Sequence, residues 1–113
     1  MEDIVEQGLL YDFYGELLTD HQRQVYEAAV YDDLSLSEIA GEFGITRQGV
    51  HDLLKRCDRI LKDYEDHLHL LEHFRETKAD AERILILTSA YREDKDAAHL
   101  DEIDRIAERL RSG

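Results

Sequence analysis

The stretch SLSEIAGEFGITRQGVHDLLKRCDRIL, which covers residues 35–61, predicts two helices joined by a tight turn. Ser35 and Glu38 form a capping box, because their side chains can satisfy N–H groups that the start of a helix leaves free. Gly44 stands where the first helix ends, since glycine adopts the left-handed conformation there at little cost. Thr46 is placed to cap the second helix.

Apolar residues recur at the helical period on one side of each of these helices. They are Leu36, Ile39, Ala40 and Phe43 in the first helix, and Val50, Leu53, Leu54 and Cys57 in the second. The small side chain of Ala40 lets the second helix cross close to the first. An ordinary helical hairpin is the alternative, but it rarely combines two caps, a small crossing residue and a basic outer face. The pattern therefore predicts a helix-turn-helix, whose second helix is available to enter a groove.

Polar residues occupy the outward face of the second helix and are the candidate nucleic-acid-binding residues. They are Arg47, Gln48, His51, Lys55, Arg56 and Arg59. Arg47, Gln48 and His51 lie in the first turns, where arginine suits guanine and glutamine suits adenine in a major groove. The other three are placed to meet phosphates. Asp52 at the same end would repel a phosphate backbone, although a helix N-terminus favours its charge. The same exposed residues could equally bind a protein.

The net charge of −13 is distributed unevenly along the 113 residues. Residues 1–34 hold nine acids and one base, residues 35–62 hold four acids and five bases, and residues 63–113 hold fourteen acids and eight bases. The motif is thus the only segment that is not acidic. A weakly positive segment in a negative molecule can bind a specific site, but its nonspecific attraction to phosphate is poor.

The composition predicts one cytoplasmic domain, extended by long helices. An apolar share of 42% supports a core, and the absence of proline permits uninterrupted helices. The single cysteine, Cys57, cannot form an internal disulfide and fits the apolar face as a small buried residue. No apolar run approaches the length of a membrane span, and the first residues are acidic where a signal peptide would be basic.

Two further helices precede the motif and are expected to form its apolar floor. The first covers residues 3–16, and its aromatic residues are interpreted as core. Its main apolar stripe is Val5, Leu9 and Phe13, with Leu10 and Tyr14 beside it. Thr19 and Gln22 form a second capping box, which begins a helix that ends near Asp32. A two-helix motif alone could not bury enough surface to fold.

The second motif helix is predicted to continue far beyond the motif. Apolar residues follow it at alternating spacings of four and three, namely Val50, Leu54, Cys57, Leu61, Tyr64, Leu68 and Leu71. This is a heptad seam, and with no glycine or proline between Val50 and Phe74 one helix of about seven turns is expected. Its partner is either a second copy in a homodimer or the C-terminal region folded back. The predicted units are residues 1–76, with the long helix from about residue 46, and residues 77–113.

Residues 77–113 are predicted to be a helical extension with a charged break at residues 92–96. The apolar faces on either side of the break are Ile84, Leu85, Leu87, Thr88 and Tyr91, and then Leu100, Ile103, Ile106, Ala107 and Leu110. These amphipathic segments either cover the long helix within one chain or bind a partner protein.

Catalytic and metal-binding patterns are weak. His69, Glu72 and His73 spell H-x-x-E-H, the order of one class of zinc peptidases, with both histidines expected on one helix face. The surrounding residues are apolar packing residues and no further ligand set is evident, so a solvated helix face is favoured. The chain has no nucleophile elbow, no glycine-rich phosphate loop and no cysteine pair. We therefore expect no enzyme, no metal and no cofactor.

Four segments of the sequence resemble the YlxM-type family of small bacterial helix-turn-helix proteins encoded beside the signal recognition particle GTPase. They are LLTDHQ (17–22), YDDLSLSEIA (31–40), TRQGVHDLLKR (46–56) and LKDYEDHLHLLEHF (61–74). The motif is also similar, more loosely, to the promoter-reading fourth region of bacterial sigma factors. The family usually has serine where Thr46 stands, alanine at Gly49 and tyrosine at His51.

Three functions follow as expectations for this all-α chain. The resemblance implies a regulatory or accessory protein of the signal recognition particle pathway that binds its GTPase, its RNA or both. The second expectation is a transcription regulator that reads duplex DNA. The third is a helical scaffold that only dimerises.

Overall fold

Residues 4–113, the part of the chain that this computed structural model describes, fold into six α-helices and one 3₁₀ turn. The elements are α1 (Ile4–Tyr14), the 3₁₀ turn (Gly15–Leu17), α2 (Asp20–Val30), α3 (Leu36–Phe43), α4 (Arg47–Leu68), α5 (Leu70–Asp94) and α6 (Ala98–Ser112). No strand occurs within this range, so the all-α prediction is confirmed. The chain divides into two compact units after Leu71, whereas the sequence placed the division after Glu76.

The core of the first unit consists of two apolar clusters. The larger one contains Leu10, Tyr11, Tyr14, Leu18, Tyr26, Cys57, Leu61 and Leu71. The smaller one contains Val25, Ala28, Ile39 and Val50. Leu53 and Leu54 of α4 are partly buried and pack against both clusters. α1 and α2 thus supply the apolar floor that the two motif helices lack on their own.

The buried face of α1 differs from the predicted one. The buried residues of α1 are Leu10, Tyr11 and Tyr14. Val5 and Phe13 of the predicted stripe are instead 67% and 37% exposed. The helical period fits both faces, and the one with Tyr11 and Tyr14 is buried because each hydroxyl finds a carboxylate acceptor there. Asp3, the first residue of the predicted helix, lies outside the described residues.

The prediction of one helix that runs on to Phe74 is wrong. α4 ends at Leu68, and His69 takes the left-handed conformation with φ of 56° before α5 begins at Leu70. The backbone N–H of His69 donates to the carbonyl of Glu65, which closes the last turn of α4. A non-glycine residue with this conformation costs about 1–2 kcal/mol, so other contacts must stabilise the break.

Two side chains cap the start of α5 and stabilise the break. The Tyr14 hydroxyl accepts a hydrogen bond from the backbone N–H of Leu70 at 3.1 Å and donates to the Glu65 carboxylate at 2.6 Å. Oε1 of Glu65 also accepts from the backbone N–H of Leu71 at 2.9 Å. The first N–H groups of a helix have no partner within it. Tyr14 and Glu65 therefore supply the acceptors that a local cap would otherwise provide.

The seven-residue seam of the sequence packs against α1 and α2 of the same unit. Its residues in the two clusters are Val50, Leu54, Cys57, Leu61, Tyr64 and Leu71. Leu68 is 53% exposed, because it lies at the end of α4 just before the break. The prediction that this seam awaits a second copy or the C-terminal region is therefore wrong, since the N-terminal helices already cover it.

Replacing His69 with glycine is expected to stabilise the fold by about 0.5–1 kcal/mol. Glycine adopts a positive φ without strain, and this gain exceeds the loss that comes from the greater entropy of glycine in the unfolded chain. Asp66→Gly, placed within α4, should instead destabilise it by about 1 kcal/mol. Urea unfolding followed by circular dichroism measures both changes. Equal destabilisation by both glycines would contradict the left-handed conformation of His69.

Tyrosine hydroxyls of the first unit donate to carboxylates across helix boundaries. Tyr11 donates to Glu27 at 2.5 Å, Tyr26 to Asp58 at 2.6 Å and Tyr31 to Asp12 at 2.6 Å, in addition to the bond from Tyr14 to Glu65. Desolvation and the hydrogen bond to a carboxylate raise the pKa of Tyr11 and of Tyr14, and raise the pKa of Tyr31 to about 12. The neutral phenols are thus favoured by the fold.

Alkaline pH is expected to unfold the first unit together with tyrosine ionisation. The pKa of Tyr11, Tyr14 and Tyr31 is higher in the folded state than the ordinary value of 10.0, so the folded state holds these protons more tightly. Their contribution to stability is complete below pH 10 and is lost as the pH rises through the folded values. Tyrosinate absorbance and circular dichroism should change together above pH 10. Full ionisation near pH 10 with unchanged helicity would contradict this.

The second unit, Glu72–Gly113, contains most of α5 and all of α6. Arg83 of α5 makes two hydrogen bonds to Glu102 of α6, at 2.7 and 3.1 Å, and Asp80 pairs with Arg109 at 2.6 Å. The order of these pairs shows that the two helices run antiparallel.

The apolar faces predicted for the second unit are only partly buried. Leu87 and Ile106 are buried. Leu85, Leu100 and Leu110 are exposed, contrary to the prediction, because one helix can cover only a narrow stripe of its neighbour. Among residues 4–113, no helix has the length and apolar character that crossing a membrane requires.

Candidate nucleic-acid interface

The turn of the motif is set by α3 and its two ends. Ser35 Oγ accepts from the N–H of Glu38 at 3.1 Å, and the N–H of Ser35 donates to the Glu38 carboxylate at 3.0 Å, which confirms the capping box. These bonds hold the pKa of Glu38 below its usual value. Gly44 ends the helix with φ of 69°, and its N–H donates to the carbonyl of Ala40. The chain thereby turns sharply before α4.

The start of α4 is fixed by a cap and by the core beneath it. Thr46 Oγ1 accepts from the N–H of Gly49 at 2.9 Å, as predicted. Ile39 of α3 and Val50 of α4 have no exposed surface and share the smaller cluster, with Ala40 packed beside them. These contacts confirm the helix-turn-helix and position the first two turns of α4.

All of the predicted binding residues lie on the exposed side of α4, opposite the buried stripe. They are Arg47, Gln48, His51, Lys55, Arg56 and Arg59. Their exposure follows from the helical period, because Val50, Cys57 and Leu61 face the core. Their role in binding stays a prediction.

The cations of this face are not used within the chain. None of the ion pairs found among residues 4–113 involves Arg47, Lys55, Arg56 or Arg59. Arginines of the second unit, such as Arg83, are paired with carboxylates instead. Unpaired cations side by side on one helix are available for an anionic partner.

Asp52 lies among these cations and contacts two of the predicted base-reading residues. Nε2 of Gln48 donates to Oδ1 of Asp52 at 2.9 Å, and Nδ1 of His51 lies 3.6 Å from the same oxygen. The sequence predicted for Asp52 a repulsion of phosphates and a favourable place near the helix N-terminus, but not these contacts. The spacing of four residues between Gln48 and Asp52 was the available signal.

The predicted H-x-x-E-H pattern does not form one face of a helix. His69 lies in the break after α4, whereas His73 lies within α5, so the expected alignment of the two histidines is wrong. Within residues 4–113, no three or more histidine, cysteine or acidic side chains are grouped to hold a metal ion.

The sequence matches the model of a known family whose description also names a helix-turn-helix. The UPF0122 family, described as "Putative helix-turn-helix protein, YlxM / p13 like", matches residues 1–103. The chain belongs to the UPF0122 family. The resemblance to YlxM-type proteins is thereby confirmed.

Relatives in the UPF0122 family match most of the chain. A UPF0122 protein of Clostridium kluyveri is 40% identical over 103 residues, which are 91% of this chain and 93% of that protein. One of Caldanaerobacter subterraneus subsp. tengcongensis is 45% identical over 83 residues, 74% of this chain and 71% of its own. One of Clostridium botulinum is 51% identical over 72 residues, 64% and 66% of the two chains.

Proposed function

We propose that this UPF0122 protein is a non-enzymatic regulatory or accessory protein that binds nucleic acid through the exposed face of α4. The observation that carries the proposal is the set of four unpaired cations, Arg47, Lys55, Arg56 and Arg59. A helix-turn-helix holds this helix outward from a rigid core, which suits it to a groove.

The charge of the rest of the chain supports specific over nonspecific binding. The total is −13, and the segments before and after the motif are both acidic. An acidic molecule is repelled from bulk nucleic acid unless close contacts at one face compensate. Nucleic acid bound at α4 would not cover the acidic surfaces, which could therefore bind a protein partner in the same assembly.

The signal recognition particle pathway is the setting that we propose first. The resemblance to proteins encoded beside the signal recognition particle GTPase supports this setting. In it, the protein would bind the particle's RNA through α4, its GTPase through another surface, or both, as a cytoplasmic factor without a cofactor.

A transcription regulator that reads duplex DNA is the second candidate. Arg47, Gln48 and His51 favour it, because they occupy the first turns of α4, where a recognition helix meets base edges. The major groove of B-form DNA admits an α-helix, whereas the major groove of duplex RNA is too deep and narrow for side chains to read.

A parallel titration by fluorescence anisotropy distinguishes these candidates. Protein labelled at its N-terminus is titrated with the signal recognition particle GTPase, with its RNA and with mixed-sequence duplex DNA, each at low and near-physiological salt. Saturable binding to the RNA or the GTPase that persists at the higher salt supports the first setting. Binding to DNA alone, weakened by salt, supports the second candidate. No binding to the RNA or to the DNA contradicts the proposal, even if the GTPase binds.

A further inference from the structure

Asp52 lies in the second turn of α4, on the exposed face of the helix, between two possible sets of partners. Gln48 lies one turn before it, and Lys55 and Arg56 lie one turn after it. Side chains three or four residues apart on a helix are neighbours, so Asp52 can reach either set. Its side chain is 64% exposed, so packing does not dictate the choice.

The contacts of Asp52 point toward the start of the helix. An acid that precedes an arginine by four residues is the favourable order for an ion pair on a helix. Asp52 nevertheless forms no ion pair with Arg56 in the described chain, and accepts from Gln48 Nε2 at 2.9 Å instead. The cations of the next turn therefore stay available for phosphates, while the acid is engaged with a base-reading side chain.

This hydrogen bond orients the Gln48 amide. With Nε2 bonded to Asp52, Oε1 of Gln48 remains an acceptor that can face outward. The second carboxylate oxygen of Asp52 is another acceptor at the same height on the helix. Arg47, at the first position of α4, presents only donors. The first two turns of α4 thus present the donors of Arg47 beside two acceptors, one from Gln48 and one from Asp52.

We propose that Asp52 is a specificity-determining residue that makes α4 read an exocyclic amino group in the major groove of duplex DNA. The amino groups there are N6 of adenine and N4 of cytosine, and both are donors that match the two acceptors. Arg47 matches the acceptors of a neighbouring guanine. The preferred site therefore contains guanine next to adenine or cytosine on the same strand. This inference rests on the second candidate of the proposed function, in which α4 binds duplex DNA.

Asp52 also lowers binding to sequences that lack this pattern. A carboxylate without a donor partner faces the electron-rich groove and the phosphates, and the repulsion remains uncompensated. Where the amino group of the base pair lies within reach of Asp52, on the strand that faces it, the same carboxylate gains a charge-assisted hydrogen bond. Asp52 thus increases the difference in affinity between matched and unmatched DNA sites more than it increases the affinity for the matched site.

Selection from a random pool of DNA duplexes tests this role. Wild type and Asp52→Asn are each used to select duplexes, and affinities for the selected site and for the random pool are then measured. Wild type should enrich guanine followed on the same strand by adenine or cytosine, and should lose about tenfold or more in affinity when that second base pair is inverted, which moves its amino group to the other strand. Asp52→Asn should reduce that loss to about twofold and bind the random pool about fivefold more tightly.

Asp66→Asn is the matched control, because it removes the same charge from an exposed position of the same helix, about 21 Å further along. It should select the same sites as wild type with little change in affinity for the pool. Equal sites and affinities for wild type and Asp52→Asn would overturn the inference. An equal gain in pool binding by the two variants would reduce the role of Asp52 to net charge and would also overturn it.

Failure of the proposed function gives a different result. If α4 does not bind nucleic acid, wild type enriches no sequence and Arg47→Ala with Lys55→Ala binds the pool as wild type does. If α4 binds but Asp52 does not read bases, wild type enriches a sequence that Asp52→Asn enriches equally. Stronger capture of duplex RNA than of duplex DNA by wild type would overturn the assignment to the major groove of DNA.

Discussion

Leu61→Asp is expected to unfold the first unit, whereas Leu68→Asp leaves it folded. Leu61 has no exposed surface and lies in the larger cluster with Tyr14 and Tyr26. Burying an unpaired carboxylate there costs at least about 4 kcal/mol, which approaches the whole stability of an ordinary domain. Leu68 is 53% exposed, so a carboxylate at that position remains in water.

Circular dichroism and urea unfolding measure the difference between these two variants. Leu61→Asp should lose most of the helical signal of α1–α4, and Leu68→Asp should unfold within about 1 kcal/mol of wild type. The solution mass of both variants is measured as well. A loss of helicity in Leu68→Asp, or a change in its oligomeric mass, would support the prediction that this seam joins two chains. A folded Leu61→Asp would contradict the core described for α4.

Arg47→Ala combined with Lys55→Ala is expected to abolish detectable nucleic-acid binding without unfolding the protein. Both side chains are exposed on α4 and have no ion-pair partner in the described chain, so their removal disturbs no contact within it. The expected loss is about 2–4 kcal/mol of binding free energy, or roughly thirtyfold or more in Kd. The dependence of log Kd on log salt should also become shallower by about 1, for the one lost phosphate contact of Lys55.

Arg75→Ala with Lys78→Ala is the control for this change in charge. These residues are exposed on α5, so the variant has the same net charge but an intact α4 face. Anisotropy titrations at several salt concentrations compare the two variants, and circular dichroism confirms that both are folded. Equal binding by wild type and the α4 variant would show that this face is not the one that binds. Equal weakening by both variants would indicate that only the total charge matters.

The helix-turn-helix could be predicted from sequence because local interactions specify it. The capping box of Ser35, the left-handed Gly44 and the cap of Thr46 each act within four residues. The outward face of α4 followed from the same helical period that places Val50 in the core. The position of these side chains was therefore predictable, but their binding role was not.

The break after α4 could not be predicted, because its cause is distant in sequence. Tyr14, which caps the start of α5, lies 56 residues before Leu70. The local sequence has neither glycine nor proline at the break and has a regular apolar spacing, so it favours a continuous helix. The buried face of α1 could not be predicted for a related reason. Glu27 and Glu65, which accept hydrogen bonds from the tyrosine hydroxyls of α1, belong to other helices.

The burial of Cys57 makes this chain its own reporter of unfolding. Its thiol is the only one in the sequence, has no exposed surface, and has a pKa raised to about 11 by burial. Only the thiolate reacts with alkylating reagents, and an unfolded cysteine forms it far more readily. The rate at which an alkylating reagent modifies the wild-type protein therefore counts excursions that open the α1–α2–α4 core. Opening kinetics can thus be followed at a single native atom, with no engineered label.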